Sequence, residues 1–316
     1  MARYVRVASL SMKRCLLSEK PDNVSYADYA KSFLSTHIGK VLSQKPDIIV
    51  LYELCVRPSD YYAKHINSIL YYKEIFDEVL SFLCTLAREK RVYIAYPTYR
   101  FCEDGTNRNS VLMIDRDGNV MGHYDKNHIV VTETSRNNVL AGREETVFEC
   151  DFGTVGVVVC FDLNFEEIRA RYKKRNPDLM LFCSDYGGGM MKNFFAYDTR
   201  TYLVSACHYP APADIIDPMG KVVASGSNYF PYCVADINLD YVVCHLDFNE
   251  GKFQKIAQKY GNKVKMDVPS FLGPCLITSE SDEFSAMDLV KEFGLELVND
   301  YIERSLKHRY DNMSDF

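Results

Sequence analysis

Short unbroken apolar runs that stop abruptly on a polar residue recur along this chain, alternating with longer stretches of helical spacing. Tyr26, Tyr29, Phe33, Leu34, Ile38 and Leu42 fall on one helical face and predict a helix over 26–42; Ile69, Ile75, Phe76, Val79, Leu80, Leu83 and Leu86 predict a second over 66–89. Apolar runs predict strands over 6–10, 47–53, 92–99, 110–114, 147–152, 155–160, 179–184 and 202–207, with a short strand from Val120 ending at Lys126. Further helices are expected over 166–174, 193–200, 253–260 and 285–304, with a strand over 274–278 between the last two. Turn signals at Glu103-Asp104-Gly105, Asp117-Gly118-Asn119 and Asp217-Pro218-Met219-Gly220 imply hairpins. Alternating strands and helices interrupted by hairpins predict a layered α/β fold with mixed sheets.

Composition narrows the class. The 316 residues are 47% hydrophobic and 25% charged, an ordinary globular balance. A formal net charge of −6 argues against a nucleic-acid surface, and no stretch has the apolar length of a membrane span. The N-terminal segment reads as a strand, without the apolar core of a signal peptide. The eleven cysteines include no CxxC pair, which disfavours a zinc site, and their odd number fits a reducing compartment; a cytoplasmic location is expected. The character changes after about residue 250. Residues 1–250 are expected to form the main domain, and 251–316 an extension packed on it or at a subunit interface.

Three of the apolar runs end on residues with chemistry. Asp47-Ile48-Ile49-Val50-Leu51-Tyr52-Glu53 ends on a carboxylate, and Val120-Met121-Gly122-His123-Tyr124-Asp125-Lys126 on an ammonium. Val155-Gly156-Val157-Val158-Val159-Cys160 ends on a thiol. Most cysteines pack as small hydrophobes, and most Glu and Lys side chains are simply solvated. A strand end, however, is a rigid platform open at the sheet edge. A thiol is mostly protonated at neutral pH and needs a base or a neighbouring cation. Glu53 would supply the base, and Lys126, with the backbone N–H of Phe161, the oxyanion donors. Phe161 and Tyr186 are candidate pocket walls, and Gly187-Gly188-Gly189 reads as a loop admitting substrate close to the backbone. A Cys-His dyad of Cys160 with His128 or His208 is a lesser alternative.

These blocks resemble the carbon–nitrogen hydrolase (nitrilase) superfamily over roughly residues 3–245. They stand as Asp47 to Leu54, Tyr124-Asp125-Lys126-Asn127-His128, and Gly156 to Glu167 around Cys160-Phe161-Asp162, with a weaker block at Ile215 to Ala224. The resemblance implies Glu53 as general base, Lys126 as oxyanion stabiliser and Cys160 as nucleophile. It gives Glu133 the place of a second glutamate that orients the lysine, although Glu133 also suits a helix start capped by Thr132. It implies a four-layer α-β-β-α sandwich, no metal or organic cofactor, and a homodimer or larger homo-oligomer.

Several positions depart from the family pattern. Tyr52 and Glu166 stand where prolines are usual, and Tyr197-Asp198-Thr199-Arg200 where an Arg-Ala-x-Glu-Asn segment is expected. Phe161-Asp162 replaces the Trp-Glu of true nitrilases, favouring small-molecule amides or N-carbamoyl compounds over nitriles. The expected function is hydrolysis of a non-peptide C–N bond through a cysteine thioester. The alternatives are a catalytically silent binding protein and an acyltransferase using the same triad.

Overall fold

The computed structural model describes residues 1–269 and 273–313, which divide into two compact units. One comprises residues 6–236. The other combines residues 1–5 with the described residues from 237 onward.

The larger unit is built on two six-stranded mixed sheets of similar plan. In the first, β1 (Tyr4–Leu10), β2 (Ile48–Val50) and β3 (Tyr93–Phe101) run parallel. Antiparallel β4 (Asn107–Ile114) and β5 (Val120–Asp125) continue this sheet, and β12 (Tyr232–Asn238) lies on the other side of β1. In the second, β7 (Gly153–Val159), β8 (Leu179–Ser184) and β9 (Tyr202–Cys207) form the parallel centre. Antiparallel β6 (Val147–Cys150) flanks β7, while β10 (Asp214–Ile216) and β11 (Val222–Ser225) extend the sheet beyond β9. Every residue of β8 and β9 is buried, as continuous apolar strands require when both faces are covered. The sheets meet face to face, where the buried Ser9 hydroxyl donates to the Ser205 carbonyl (2.8 Å).

Helices cover the outer faces. On one side, α1 (Tyr26–Leu42) packs against α2 (Ser68–Lys90). Both helices begin at capping side chains: Ser25 accepts from the Asp28 N–H, and Asn67 from the Ile69 and Leu70 N–H groups. On the other side, α4 (Glu166–Arg175) and α5 (Met190–Thr199) enclose a buried cluster with the second sheet, including Val158, Ile168, Tyr172, Phe182, Phe195 and Leu203. The result is the α-β-β-α sandwich expected from the resemblance, with α3 (Val131–Asn137) lying after β5.

The other unit contains a three-stranded antiparallel sheet, ordered β13 (Tyr241–His245), β15 (Pro274–Ser279), β14 (Val264–Asp267). Val242, Cys244, Ile256, Cys275, Ile277 and Leu289 form its core with α6 (Glu250–Tyr260) and α7 (Ala286–Phe293). Strands β12, β13 and β14 were not anticipated from the sequence. The single helix expected over 285–304 is two: Gly294 takes a left-handed conformation (φ 59°), ends α7 and separates it from α8 (Val298–Asp311). The strand expected over 47–53 ends at Val50, and the chain then turns through Leu54 at φ 49°. Glu53 therefore projects from a turn just beyond the strand.

Candidate active site

Three neighbouring chain ends converge. Cys160 directly follows β7, Lys126 directly follows β5, and Glu53 lies in the turn after β2. Lys126 is almost wholly buried, and its Nζ donates to Glu53 Oε1 at 2.9 Å and to Glu133 Oε2 at 2.8 Å. Asn109, on β4, bridges the same two carboxylates: its Nδ2 lies 2.7 Å from Glu53 Oε1 and 2.8 Å from Glu133 Oε1. The backbone N–H of Asp185 donates to Glu53 Oε2 (2.9 Å), so both oxygens of this buried carboxylate are bonded. The Cys160 thiol is within hydrogen-bonding reach of Glu53 and of Ser184.

The charge states follow. Burial works against an ionised Glu53, but the Lys126 ammonium and the hydrogen bonds from Lys126, Cys160 and Asp185 outweigh it and hold the carboxyl below its ordinary value. Burial also opposes the Lys126 charge, yet Glu53, Cys160 and Glu133 hold the ammonium well above its ordinary value. Burial and the Glu53 charge push the Cys160 thiol up, against the opposing pull of Lys126. At neutral pH these directions leave a carboxylate on Glu53, an ammonium on Lys126 and a neutral thiol on Cys160.

The turn at Cys160 is held in a strained form. Cys160 has φ 49°, a region costly for a residue with a side chain, on the order of 1–3 kcal/mol. Asp162, fully buried, ties the turn down. Its Oδ2 accepts from the Val159 N–H (3.0 Å) and the Tyr124 hydroxyl (2.7 Å), and its Oδ1 from the His128 N–H (2.7 Å). The His128 ring sits 3.0 Å from Asp162 Oδ1 through Nδ1 and 2.8 Å from Glu167 Oε1 through Nε2, and stacks on Phe165 with centroids 3.7 Å apart. Its hydrogen bond to Asp162 is the largest of the effects that raise its pKa. These contacts direct His128 to carboxylates, so the Cys-His dyad weighed from the sequence is not what it forms. His208 lies beside Tyr52, with ring centroids 5.5 Å apart, and Asp185.

A cavity of about 200 Å³ opens onto the cluster, lined by Glu53, Lys126, Glu133 and Cys160 together with Arg57, Tyr61, Tyr62, Tyr99, Arg136 and Asp185 among others. Glu133 combines the two alternatives weighed for it. It bonds Lys126, and its Oε2 also accepts from the Val130 N–H (3.0 Å), closing the start of α3. Val130, not Thr132, is the N-cap residue.

Phe161, Tyr186 and Gly187 do not line this cavity. Phe161 is 38% exposed and meets Phe165 edge-on, while the Tyr186 hydroxyl receives a bond from Asn164 (3.0 Å). Within the glycine triplet, Gly188 serves packing. A Cβ on Gly188, at φ 68°, would come within 3.0 Å of Lys192, Leu163 and Phe182. Asn109, Asp162, Arg57, Arg136 and Asp185 were given no role from the sequence. The available signal for Asn109 was its place just before the apolar run over 111–114, and Asp162 closely follows the thiol.

Comparison with known proteins agrees with this architecture. A family model described as carbon-nitrogen hydrolase matches residues 32–243. The chain is 28% identical over 210 residues to a probable nitrilase of Schizosaccharomyces pombe, covering 60% of this chain and 75% of that protein. It is 21% identical over 253 residues to an omega-amidase of Saccharomyces cerevisiae, covering 71% and 84% respectively. Among solved structures it is similar to a mutant of an amidase from a Nesterenkonia species in which the acetamide moiety of fluoroacetamide is added covalently at the active-site cysteine. That likeness has a TM-score of 0.61 at 16% identity, covers 81% of this chain and 96% of the other, and is one of fold. The matched segment contains Glu53, Lys126, Glu133 and Cys160 and most of both sheets, and the chain belongs to the carbon–nitrogen hydrolase family.

Proposed function

We propose that this hydrolase cleaves an amide or N-carbamoyl C–N bond through a thioester on Cys160. The observation that carries the reading is the convergence of one carboxylate, one ammonium and one thiol on a single small cavity, with Lys126 bonded to Glu53. The covalent adduct on the cysteine of a mutant of the Nesterenkonia amidase, a relative in fold, is consistent with a nucleophilic cysteine.

Glu53 accepts the thiol proton as Sγ attacks the substrate carbonyl carbon. With the thiol pKa raised and that of Glu53 lowered, proton transfer accompanies attack. Negative charge passes to the carbonyl oxygen, where Lys126 stabilises it. Collapse of the tetrahedral intermediate breaks the C–N bond, Glu53 returns the proton to the leaving nitrogen, and a thioester remains. Water then gives a proton to Glu53 and attacks the thioester; collapse releases the carboxylic acid and restores the thiol. Glu133 and Asn109 hold the Lys126–Glu53 pair in place throughout. None of these steps calls on a metal or an organic cofactor.

The test is a turnover screen over primary amides, N-carbamoyl amines and nitriles, with Cys160→Ala as blank. Acid release from an amide or carbamoyl compound by the wild type alone is expected. Amide products formed with added amines would make the chain an acyltransferase, and inertness across the panel would favour a silent binding protein.

A further inference from the structure

A second cavity, of about 360 Å³, lies at the β3–β4–β5 end of the first sheet and shares no lining residue with the one that holds Cys160. Arg100 on β3, Arg108 on β4, His123 and Asp125 on β5, and Arg143 in the segment before β6 all line it. Successive side chains on a strand point to opposite faces, so Arg108 is turned away from the face on which Asn109 reaches Glu53.

The strand register sets two like charges against each other. Arg100 and Arg108 are directly opposed across the antiparallel β3–β4 pair, an arrangement that repels. Asp125 answers only one of them. Its Oδ1 accepts from Arg100 Nε (3.2 Å) and the Ser110 hydroxyl (2.6 Å), and its Oδ2 from Arg100 Nη2 (2.5 Å), so both oxygens are taken. Arg108 donates through Nη1 to the Thr106 hydroxyl (2.7 Å) and the Asn107 carbonyl (3.0 Å), both uncharged, and among the described residues it has no ion pair. The Arg143 carbonyl accepts from Arg171 (2.7 Å), while its guanidinium has no bonded partner among the described residues. Glu144, the other carboxylate at the cavity, is exposed and has no ion pair among the described residues. In a chain of net charge −6, this is a local excess of unanswered positive charge.

We infer that this cavity binds a phosphate group, free or carried on a small molecule, held by Arg108 and Arg143 with His123 beside them. Charge and shape select phosphate. A phosphomonoester brings about −1.5 to −2 charge at pH 7 and three acceptor oxygens, which meet the unused N–H groups of two guanidiniums arriving from different elements. A carboxylate, with one charge and two oxygens, fills one guanidinium fork and leaves the other unanswered. The cavity equals the liquid volume of about twelve waters, at about 30 Å³ each, which leaves room for a small organic body beside the phosphate. The site is one of binding and does not depend on the reaction at Cys160.

The test is calorimetric titration of the full chain with inorganic phosphate and glycerol 3-phosphate, with acetate and glycerol as controls. Saturable one-to-one binding of at least one phosphate compound is expected, tighter than any binding of acetate or glycerol. Tighter binding of glycerol 3-phosphate assigns the site to a phosphomonoester; tighter or equal binding of inorganic phosphate assigns it to the free anion. Arg108→Gln and Arg143→Gln should each weaken that binding at least about tenfold, as loss of a charge-assisted hydrogen bond predicts. Arg143 is exposed, so its replacement leaves the fold intact. Without ligand, Arg108→Gln should melt no lower than the wild type, because it removes one of two opposed like charges; a lower Tm counts against the repulsion on which the inference rests. No saturable binding of either phosphate compound, acetate bound as tightly, or unchanged affinity in either variant overturns the inference.

Discussion

Asp162 and His128 join the turn at Cys160 to the segment that carries Lys126. Asp162 Oδ1 accepts from the His128 backbone N–H at 2.7 Å and faces the His128 ring at 3.0 Å, while Oδ2 holds the Val159 N–H beside Cys160. One buried carboxylate thus fixes the spacing of two strand ends. Asp162→Asn puts an amide N–H where at least one of these donors needs an acceptor. It should lower stability by about 1–3 kcal/mol, the cost of a buried unsatisfied polar group, and lower kcat with it. Urea unfolding and turnover of the best amide from the screen measure the two effects; a variant unchanged in both contradicts this role for Asp162.

The pH dependence of stability follows from His128. Its pKa is raised above 6.5 by the hydrogen bonds and charges of Asp162 and Glu167. A group whose folded value exceeds its unfolded value stabilises fully below the unfolded value and loses that contribution as pH rises through the folded one. Stability should therefore fall as pH increases above about 6.5. His128→Gln should flatten that part of the profile. Urea midpoints at half-unit pH intervals, with the His128 ring followed by NMR, provide the check.

Lys126→Met leaves Glu53 and Glu133 buried without their ammonium. Breaking a buried pair in this way costs on the order of 3–5 kcal/mol. In the wild type the depressed Glu53 value contributes stability above its unfolded value, and that contribution is lost as pH falls through the folded value. In the variant, burial is opposed only by the remaining hydrogen bonds from Cys160 and Asp185 and raises the carboxyl, so the sign reverses and stability should recover as pH falls. Thermal melts of both proteins across the acid range distinguish the two slopes, and parallel profiles contradict the assignment.

Gly142 matters for lack of room. Its N–H donates to the Lys126 carbonyl (2.8 Å), and a Cβ at this position would lie 2.2 Å from the Asp125 carbonyl oxygen. Gly142→Ala must push this segment off the end of β5, so it should cost stability, about 1–3 kcal/mol as in other overpacked sites, and reduce turnover. Unfolding midpoint and kcat report both.

Much of this site could be read from strand grammar. Apolar runs ending on Lys126 and Cys160 locate two groups at sheet edges, because a strand buried on both faces must end where polarity resumes. Glu53 was legible as a terminal carboxylate, although its strand stops at Val50 and a left-handed turn at Leu54 places it. Asn109 and Asp162 were not, since their roles depend on partners distant in sequence: Asn109 reaches Glu53 and Glu133 across two chain segments. The glycines at 187–189 were read as a substrate loop because sequence does not separate room for a ligand from room for Leu163 and Phe182. The break at Gly294 was missed because helical apolar spacing continues on both sides of it.

The most direct test of the account is mass spectrometry of protein quenched during amide turnover. An acyl group should be found on the peptide containing Cys160, released by hydroxylamine as a thioester is, and absent from Cys160→Ala, which should also lack turnover. Sustained turnover by Cys160→Ala, or acylation of a different residue, contradicts it.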